Sequence, residues 1–208
     1  MFWKTDEPHG LPRNPFKSCV IPRPIGWIST IGPDGIGNLS PYSFFNGVSG
    51  EPPMVMFASG SRGPGEPKDS IYNAEQTGEF VCSMVSYELI DAMNDSSAGY
   101  AADVDEAELL GIEMEPSELV EPLRVKAAPI HLECTFIGKM DLPADNNGGG
   151  NALCVGRVIG VHIKDEFLKD GMVDVLKIRP VARLGYMDYT SVEDVFTLMR
   201  PNMKSAAE

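Results

Sequence analysis

The loop GSRGPGEPKDS, residues 60–70, carries the side chains best suited to binding an anion. It combines three glycines with Arg62 and Lys68, and it leads into IYNAEQTG, whose final Gly78 is typical of a helix C-terminus. A glycine-rich backbone, two cations and a helix start can together hold a phosphate. The alternative is a solvated loop in which Asp69 or Ser70 caps the helix. The GxxxxGK[ST] pattern of a Walker loop is absent.

A second group of polar side chains lies in PRPIGWISTIGPDGIGNLSPYSFFN, residues 22–46. Two segments with strand character, Ile25–Ile31 and Leu39–Phe45, are joined by the turn Pro33-Asp34-Gly35. They carry hydroxyls where a core hairpin would prefer aliphatic residues: Ser29, Thr30, Ser40 and Ser43. One interpretation is the wet face of an edge strand. The other is a polar ligand along the strand, with a ring system on the aromatic residues Trp27, Tyr42, Phe44 and Phe45.

Cysteine and histidine give no pattern for a metal site or a nucleophile. The four cysteines are far apart in sequence, and three of them lie in apolar strand-like segments, which predicts buried thiols in a reducing compartment: Cys19, Cys82, Cys134 and Cys154. His131 and His162 alternate with apolar residues, so we interpret them as barrel-wall or subunit-contact residues. We predict no metal ligand, catalytic dyad or catalytic triad.

The elements that must position these residues are mainly strands. Apolar runs predict strands at Met54–Ser59 and Phe80–Val85, and a long antiparallel pair at Pro129–Met140 and Ala152–Lys164 around the tip ADNNGGGN. Ser86 has the position of an N-cap for the helix YELIDAMN. The acidic stretch Ser96–Val125 is interpreted as a surface excursion suited to a substrate lid. About six strands and two or three helices indicate a closed or split antiparallel barrel.

Composition limits the classes of function. A chain of 208 residues fits one domain, and 21 glycines and 17 prolines favour a turn-rich β protein. The net charge of −13 argues against nucleic acid partners. The sequence contains no apolar run of the ~20 residues that span a bilayer and begins with no signal-peptide pattern, so we expect a cytoplasmic protein that does not insert in a membrane.

The two hydroxyl-bearing segments and several later runs of the chain resemble a known family. The runs PRPIGWISTIGPDGIGNLSPYSFFNGVSGEPPMVMFAS, KDSIYNAEQTGEFVCSMVS, PIHLEC, VGRVIGVHI and RPVARLGYMDY are similar to the flavin reductase-like family, in its nitrilotriacetate monooxygenase component B and flavoredoxin-like branch. The similarity extends over residues 17–189 of a single domain, 1–208. It implies a mainly β fold with peripheral helices, the FMN-binding split β-barrel, with six antiparallel strands in a Greek-key arrangement.

The resemblance also implies a set of FMN-binding residues. Ser29 and Thr30 would lie along the flavin, and Ser43, Phe44, Phe45 and Asn46 would flank its ring and ribityl chain. The phosphate would be held by Ser59, Arg62, Lys68 and Ser70, although GPGEP lengthens the loop beside Arg62. The cofactor would supply the chemistry, which agrees with the lack of a catalytic side-chain motif.

The implied activity is that of an oxidoreductase in which NAD(P)H reduces FMN and the electrons pass to an acceptor. Two alternatives remain: a flavoredoxin-like electron carrier without NAD(P)H activity, and a non-catalytic flavin- or haem-binding protein. The implied assembly is a homodimer with the flavin near the interface, and a monooxygenase or other redox protein is a further expected partner. We predict that His162 and residues 185–189 form the wall that the second subunit contributes.

Overall fold

The computed structural model describes residues 1–63, 66–144 and 148–200. In these ranges the strands are β1 Arg23–Pro24, β2 Gly26–Ile31, β3 Gly37–Tyr42, β4 Phe45–Gly50, β5 Pro53–Gly60, β6 Glu79–Met84, β7 Met114–Glu115, β8 Arg124–Val125, β9 Ile130–Leu142, β10 Asn151–Ile163, β11 Leu168–Lys169, β12 Met172–Val173, β13 Val181–Arg183 and β14 Tyr189–Ser191. The α-helices are α1 Asp69–Thr77, α2 Ile90–Asp95, α3 Glu106–Leu110 and α4 Val175–Ile178, and 3-10 turns span Phe16–Ser18, Tyr87–Leu89 and Asp165–Phe167.

Seven strands form the main antiparallel sheet of the described chain, in the order β3-β2-β6-β9-β10-β5-β4. Its centre is the hairpin of β9 and β10, thirteen residues each, which confirms the predicted long pair. The predicted tip lies partly outside the described residues, at positions 145–147. The predicted strands near Met54–Ser59 and Phe80–Val85 are also present, as β5 and β6.

The sheet curls into a barrel that stays open along one seam. β3 and β4 are the two edge strands, and β3 approaches β5 without a hydrogen-bonded ladder. The mainly β split-barrel fold is therefore confirmed. The predicted strand Leu39–Phe45 is wrong at its end, because β3 stops at Tyr42 and β4 begins at Phe45. That break adds one strand to the six expected.

The strands have an inner and an outer face. The inner face forms a cluster closed at one end by Ile71 and Ala74 of α1, with aromatic contacts that link Tyr42, Phe57 and Phe80. The neighbouring outer face of β2 and β6 carries a second cluster around the fully buried Trp27. Alternation along a strand explains the division, because successive side chains point to opposite faces.

The excursion predicted for Ser96–Val125 covers this outer face and is fixed to it. The indole N–H of Trp27 donates to Ser96 Oγ at 2.9 Å, and Ser29 Oγ donates to the carbonyl of Leu123. The fully buried carboxylate of Glu133 accepts the N–H groups of Glu118 and Leu119 at 2.9 and 2.7 Å. Opening the segment would leave these groups unpaired, so it is built as a cover, which disfavours the predicted substrate lid.

The predicted ends of two helices are confirmed in part. α1 ends at Gly78, which has a φ of 82°, as the sequence predicts. Ser70, however, lies inside α1 rather than capping it. Ser86 stands at the N-cap position of the 3-10 turn Tyr87–Leu89 that leads into α2, as the sequence predicts, but its side chain makes no capping hydrogen bond.

The cysteines and histidines occupy the predicted environments. Cys82, Cys134 and Cys154 are buried and unbridged, and the described residues contain no group of side chains that could hold a metal ion. His131 and His162 lie side by side on β9 and β10, where His131 faces Ser83 and His162 contacts Glu133. They are barrel-wall residues. None of the described helices is long and apolar enough to span a membrane.

His131 should make stability depend on pH. Burial, followed by the positive charges of Arg124, His162 and Lys164, lowers the pKa of His131 from 6.5 to about 3. In the unfolded chain His131 therefore binds a proton near pH 6.5, whereas in the folded protein it stays neutral at that pH. The free energy of unfolding falls as the pH falls from 6.5 towards 3. We expect this group to remove about 1 kcal/mol between pH 7 and 5.5, measured by urea unfolding.

The variant His131→Gln supplies the comparison, because it removes the titrating group and keeps a polar side chain beside Ser83. Its unfolding free energy should change less between the two pH values than that of the natural protein. An equal change in both proteins would contradict the assignment.

Candidate functional site

A cleft of about 340 Å³ opens at the seam of the barrel, between β3, the loop after β5 and the start of α1. We call it the seam cleft. Its lining is mostly polar and comes from four segments of the chain: Asn38, Ser40, Tyr42, Ser61, Arg62, Lys68, Asp69, Ala98, Gly99, Tyr100 and Glu106. Because β3 and β5 are not paired here, the space that a closed barrel would fill with a strand ladder is accessible to a ligand.

Lys68 and the N-terminal start of α1 place positive charge in the seam cleft. Lys68 occupies the position before the first turn of α1, and no side chain caps the helix. The first N–H groups of a helix attract negative charge when no cap satisfies them. Within the described chain the Lys68 ammonium makes no ion pair. Its charge is thus available to a ligand.

Ser61 supports the same interpretation. Its Oγ is buried, yet it has no hydrogen-bond partner among the residues that the structure describes. Buried hydroxyls are normally paired, and an unpaired one beside a cation and a helix N-terminus matches the acceptor oxygens of a phosphate. The loop that contains Ser61 is recognisable in the sequence by its two cations and flanking serines, but no sequence pattern distinguishes Ser61 itself.

Arg62 is already engaged. Its guanidinium donates to the carbonyl of Tyr100 at 2.7 Å and contacts the carboxylate of Asp69. The pairing neutralises Asp69, which would otherwise repel an anion at the start of α1. The structure therefore places Arg62 in the seam cleft with its charge balanced, whereas Lys68 keeps its charge.

A chain of hydrogen bonds fixes the floor of the seam cleft. Tyr42 donates to Ser70 Oγ at 3.0 Å, and Ser70 donates to Asn38 Oδ1 at 2.6 Å. Asn38 Nδ2 donates to both carboxylate oxygens of Glu106, at 2.9 and 3.1 Å. Burial raises the pKa of Glu106, although the hydrogen bond from the Leu39 N–H opposes that shift. The chain joins β3, α1 and α3.

Three of the sequence-predicted residues are buried and already hydrogen-bonded. Ser29 points to the outer face, where it bonds to the excursion, whereas Thr30 points inward and accepts from Asn73 Nδ2 at 3.2 Å. Adjacent residues of one strand face opposite ways, so Ser29 and Thr30 do not line one groove. Ser70 lies beneath the seam cleft, in the chain just described.

The predicted ring-binding segment forms the corner between β3 and β4. Ser43 Oγ accepts from Arg23 Nε at 3.4 Å, and the Arg23 guanidinium lies 5.7 Å from the centroid of the Phe44 ring. Phe44 is 39% exposed, which leaves one ring face for contact with another molecule. Phe45 packs into the inner cluster, and Asn46 points to solvent on the outer side.

Ser59 lines a second cleft, of about 260 Å³, which shares Ser61 and Lys68 with the seam cleft. Its other cation, Lys139, is paired with Glu75 at 2.9 Å. The structure thus brings Ser59, Arg62 and Lys68 together around the start of α1, places Ser43 to Asn46 at the corner of the seam, and leaves Ser29 and Thr30 in the wall. Ser40 is one of the four hydroxyls singled out in the two strand segments, whereas no sequence pattern points to Asn38 or Ser61.

Comparison with known proteins agrees with this architecture. A family profile described as "Flavin reductase like domain" matches residues 18–182. An uncharacterised protein of Deinococcus radiodurans is 38% identical over 191 residues, covering 88% of this chain and 82% of its own length.

Two solved structures are also similar. The nitrilotriacetate monooxygenase component B of Bacillus cereus has a TM-score of 0.80 at 28% identity and covers 88% of this chain and 91% of its own. The 2-nitrobenzoate 2-nitroreductase of Pseudomonas fluorescens has a TM-score of 0.79 at 25% identity and covers 93% and 92%.

The fold and its seam therefore define a split-barrel protein of the flavin reductase type. The chain belongs to the flavin reductase-like family.

Glu106 should be the main support of the seam cleft. Replacing it by alanine leaves the Asn38 amide and the Leu39 N–H without an acceptor in a buried place. We expect Glu106→Ala to lower the free energy of unfolding by about 2–4 kcal/mol, measured by chemical denaturation, because each unpaired buried donor costs about 1–3 kcal/mol. Glu108→Ala, on the exposed side of the same helix, should change it by less than about 0.5 kcal/mol. Equal effects of both would contradict this role.

Proposed function

We propose that the protein is an FMN-dependent oxidoreductase in which NAD(P)H reduces the flavin and the electrons pass to an acceptor. The observation that carries the proposal is the seam cleft, where an unpaired ammonium, an uncapped helix start and an unpartnered buried hydroxyl meet: Lys68, α1 and Ser61. These groups fit one terminal phosphate. Membership of the flavin reductase-like family supports a flavin as its bearer.

The chain's own residues would bind and orient the cofactor. Lys68, Ser61 and the first N–H groups of α1 would hold the phosphate, and Arg62 would keep Asp69 neutralised beside it. Ser40 and Ser43 lie on the way from that site to the corner of β3 and β4, where the exposed face of Phe44 offers apolar surface for a ring. Bound FMN would supply the hydride and electron transfer chemistry.

A flavoredoxin-like electron carrier is the second candidate. The net charge of −13 would favour association with a basic redox partner, since complementary charge accelerates encounter. The two related structures suggest two kinds of acceptor: one is named as a component of a monooxygenase, and the other as a reductase of an aromatic nitro compound. A separate monooxygenase is thus one partner class to test.

Anaerobic stopped-flow spectroscopy separates the candidates. The purified protein should release FMN, and not FAD, on heating, as read by mass spectrometry. Mixed with NADH or NADPH, the holoprotein should lose its flavin absorbance within a turnover time and regain it in air. Reduction by a protein donor alone would instead establish the electron carrier, and a flavin that no donor reduces would establish a binding protein. Failure to hold FMN would refute the proposal.

Lys68→Ala should weaken FMN binding by about 1–3 kcal/mol, the range of a charge-assisted hydrogen bond. Titration of apoprotein with FMN, followed by flavin fluorescence, measures the change. Lys169→Ala is the matched control, because Lys169 is an exposed lysine of β11 outside the seam cleft. If Lys68→Ala binds FMN as tightly as Lys169→Ala, the phosphate does not lie at the start of α1.

We also propose that the protein is a two-fold homodimer. An uncovered part of the outer face of the sheet supports the dimer, because its side chains belong to neither of the two buried clusters. Across β4, β5, β10 and β9 it carries rows of facing side chains, which we call the open face: Asn46, Met54, Met56, Met140, Leu153, Val155 and Arg157. Exposed apolar sheet faces of this kind mark protein contacts. Asn46 connects the open face to the predicted flavin ring, whereas His162 lies on the covered part of the outer face, against Glu133.

A further inference from the structure

The segment Val195–Met199, which we call the arm, is apolar and packs against none of the described residues of its own chain. Val195, Phe196, Leu198 and Met199 are 54, 89, 86 and 82% exposed. The backbone of the arm forms no helix or strand, and the contacts just before it are the hydrogen bond from the Val192 N–H to the Pro180 carbonyl and the ion pair of Glu193 with Arg179. Leaving four large apolar side chains in water forfeits the free energy that their burial would release.

None of the described residues of the same molecule covers the open face. Met140 is 60% exposed, and Met54, Met56, Leu153 and Val155 are only half-buried. One chain therefore carries an apolar segment without a surface to pack on and an apolar surface without a segment to cover it. Two-fold symmetry can satisfy both at once, because each copy then gives an arm and receives one.

Charge complementarity supports this pairing. Arg157 stands at the end of the open face, opposite Met54, and makes no ion pair with any described residue. Asp194 directly precedes the arm and is likewise without an ion pair, whereas its neighbour Glu193 is paired with Arg179 at 2.9 Å. The unpaired guanidinium of Arg157 on the open face and the unpaired carboxylate of Asp194 before the arm have complementary charges.

We propose that the arm of each subunit packs on the open face of a second copy, with Asp194 next to the partner subunit's Arg157. The proposal rests on the homodimer proposed above and not on the identity of the cofactor. Because Asn46 lies in the same row as Met56 and Val155, the exchanged arm would end beside the corner that carries the predicted ring-binding residues. Each candidate site would then include residues from both chains.

Sedimentation velocity of the full-length protein at low micromolar concentration tests the exchange. The natural protein should sediment as a dimer, and the double variant Phe196→Asp, Leu198→Asp should dissociate at least about a hundredfold more readily, because two apolar anchors are lost. Leu109→Asp, which changes a 58% exposed leucine of α3, is the control and should remain a dimer. Circular dichroism establishes that each variant is folded.

The binding position of the arm is tested by exchanging the charges of Arg157 and Asp194. Arg157→Asp and Asp194→Arg should each weaken the dimer, and the combination of both should restore most of the loss. A natural protein that is a monomer would overturn both the homodimer and the exchange. A dimer that the arm substitutions leave unchanged would overturn the exchange alone. A dimer whose stability does not change with Arg157→Asp would show that the arm does not bind the open face.

Discussion

The missing ladder between β3 and β5 is the constraint on which the rest of the site depends. The sheet has enough strands to close, but β2 is the only described strand that pairs with β3, and the other edge of β3 faces the end of β5 and the start of α1. A paired edge would bury this backbone and fill the seam. Because the edge of β3 is held apart from β5, the seam between them has room for polar side chains. Glu106 and the hydrogen bonds through Ser70 maintain the separation from the side of β3.

The sequence predicted the elements whose pattern is local and missed those that depend on tertiary contacts. The long β9–β10 pair and the end of α1 at Gly78 follow from apolar alternation and from a glycine with positive φ. The break after Tyr42 does not, because SPYSFFN consists of residues that continue a strand well. It arises where Phe45 turns into the inner cluster against Gly26, whose added Cβ would lie 2.5 Å from that ring.

The candidate site was predictable by region rather than by side chain. Hydroxyls and cations identify the seam, but sequence alone does not show which of them the protein itself uses. Ser29 is hydrogen-bonded to the carbonyl of Leu123, 94 residues away, and Thr30 is hydrogen-bonded to Asn73, 43 residues away. Arg62 is paired with Asp69. The burial of Glu106 and Glu133 could not be predicted from the sequence either, because a carboxylate in an acidic segment or a strand is usually solvated. Here both are buried acceptors for backbone N–H groups.

The thiols of the inner cluster also bear on how such a protein withstands oxidants. Burial raises the pKa of Cys82 well above its usual range and that of Cys154 to about 12, so neither forms the thiolate that reacts with peroxide or disulfide. Cys19 alone among the four cysteines is exposed, near the segment whose carbonyls hold Arg23. A thiol-specific label should therefore modify only one of the four cysteines, Cys19, and leave the thiols of the barrel interior in their reduced form.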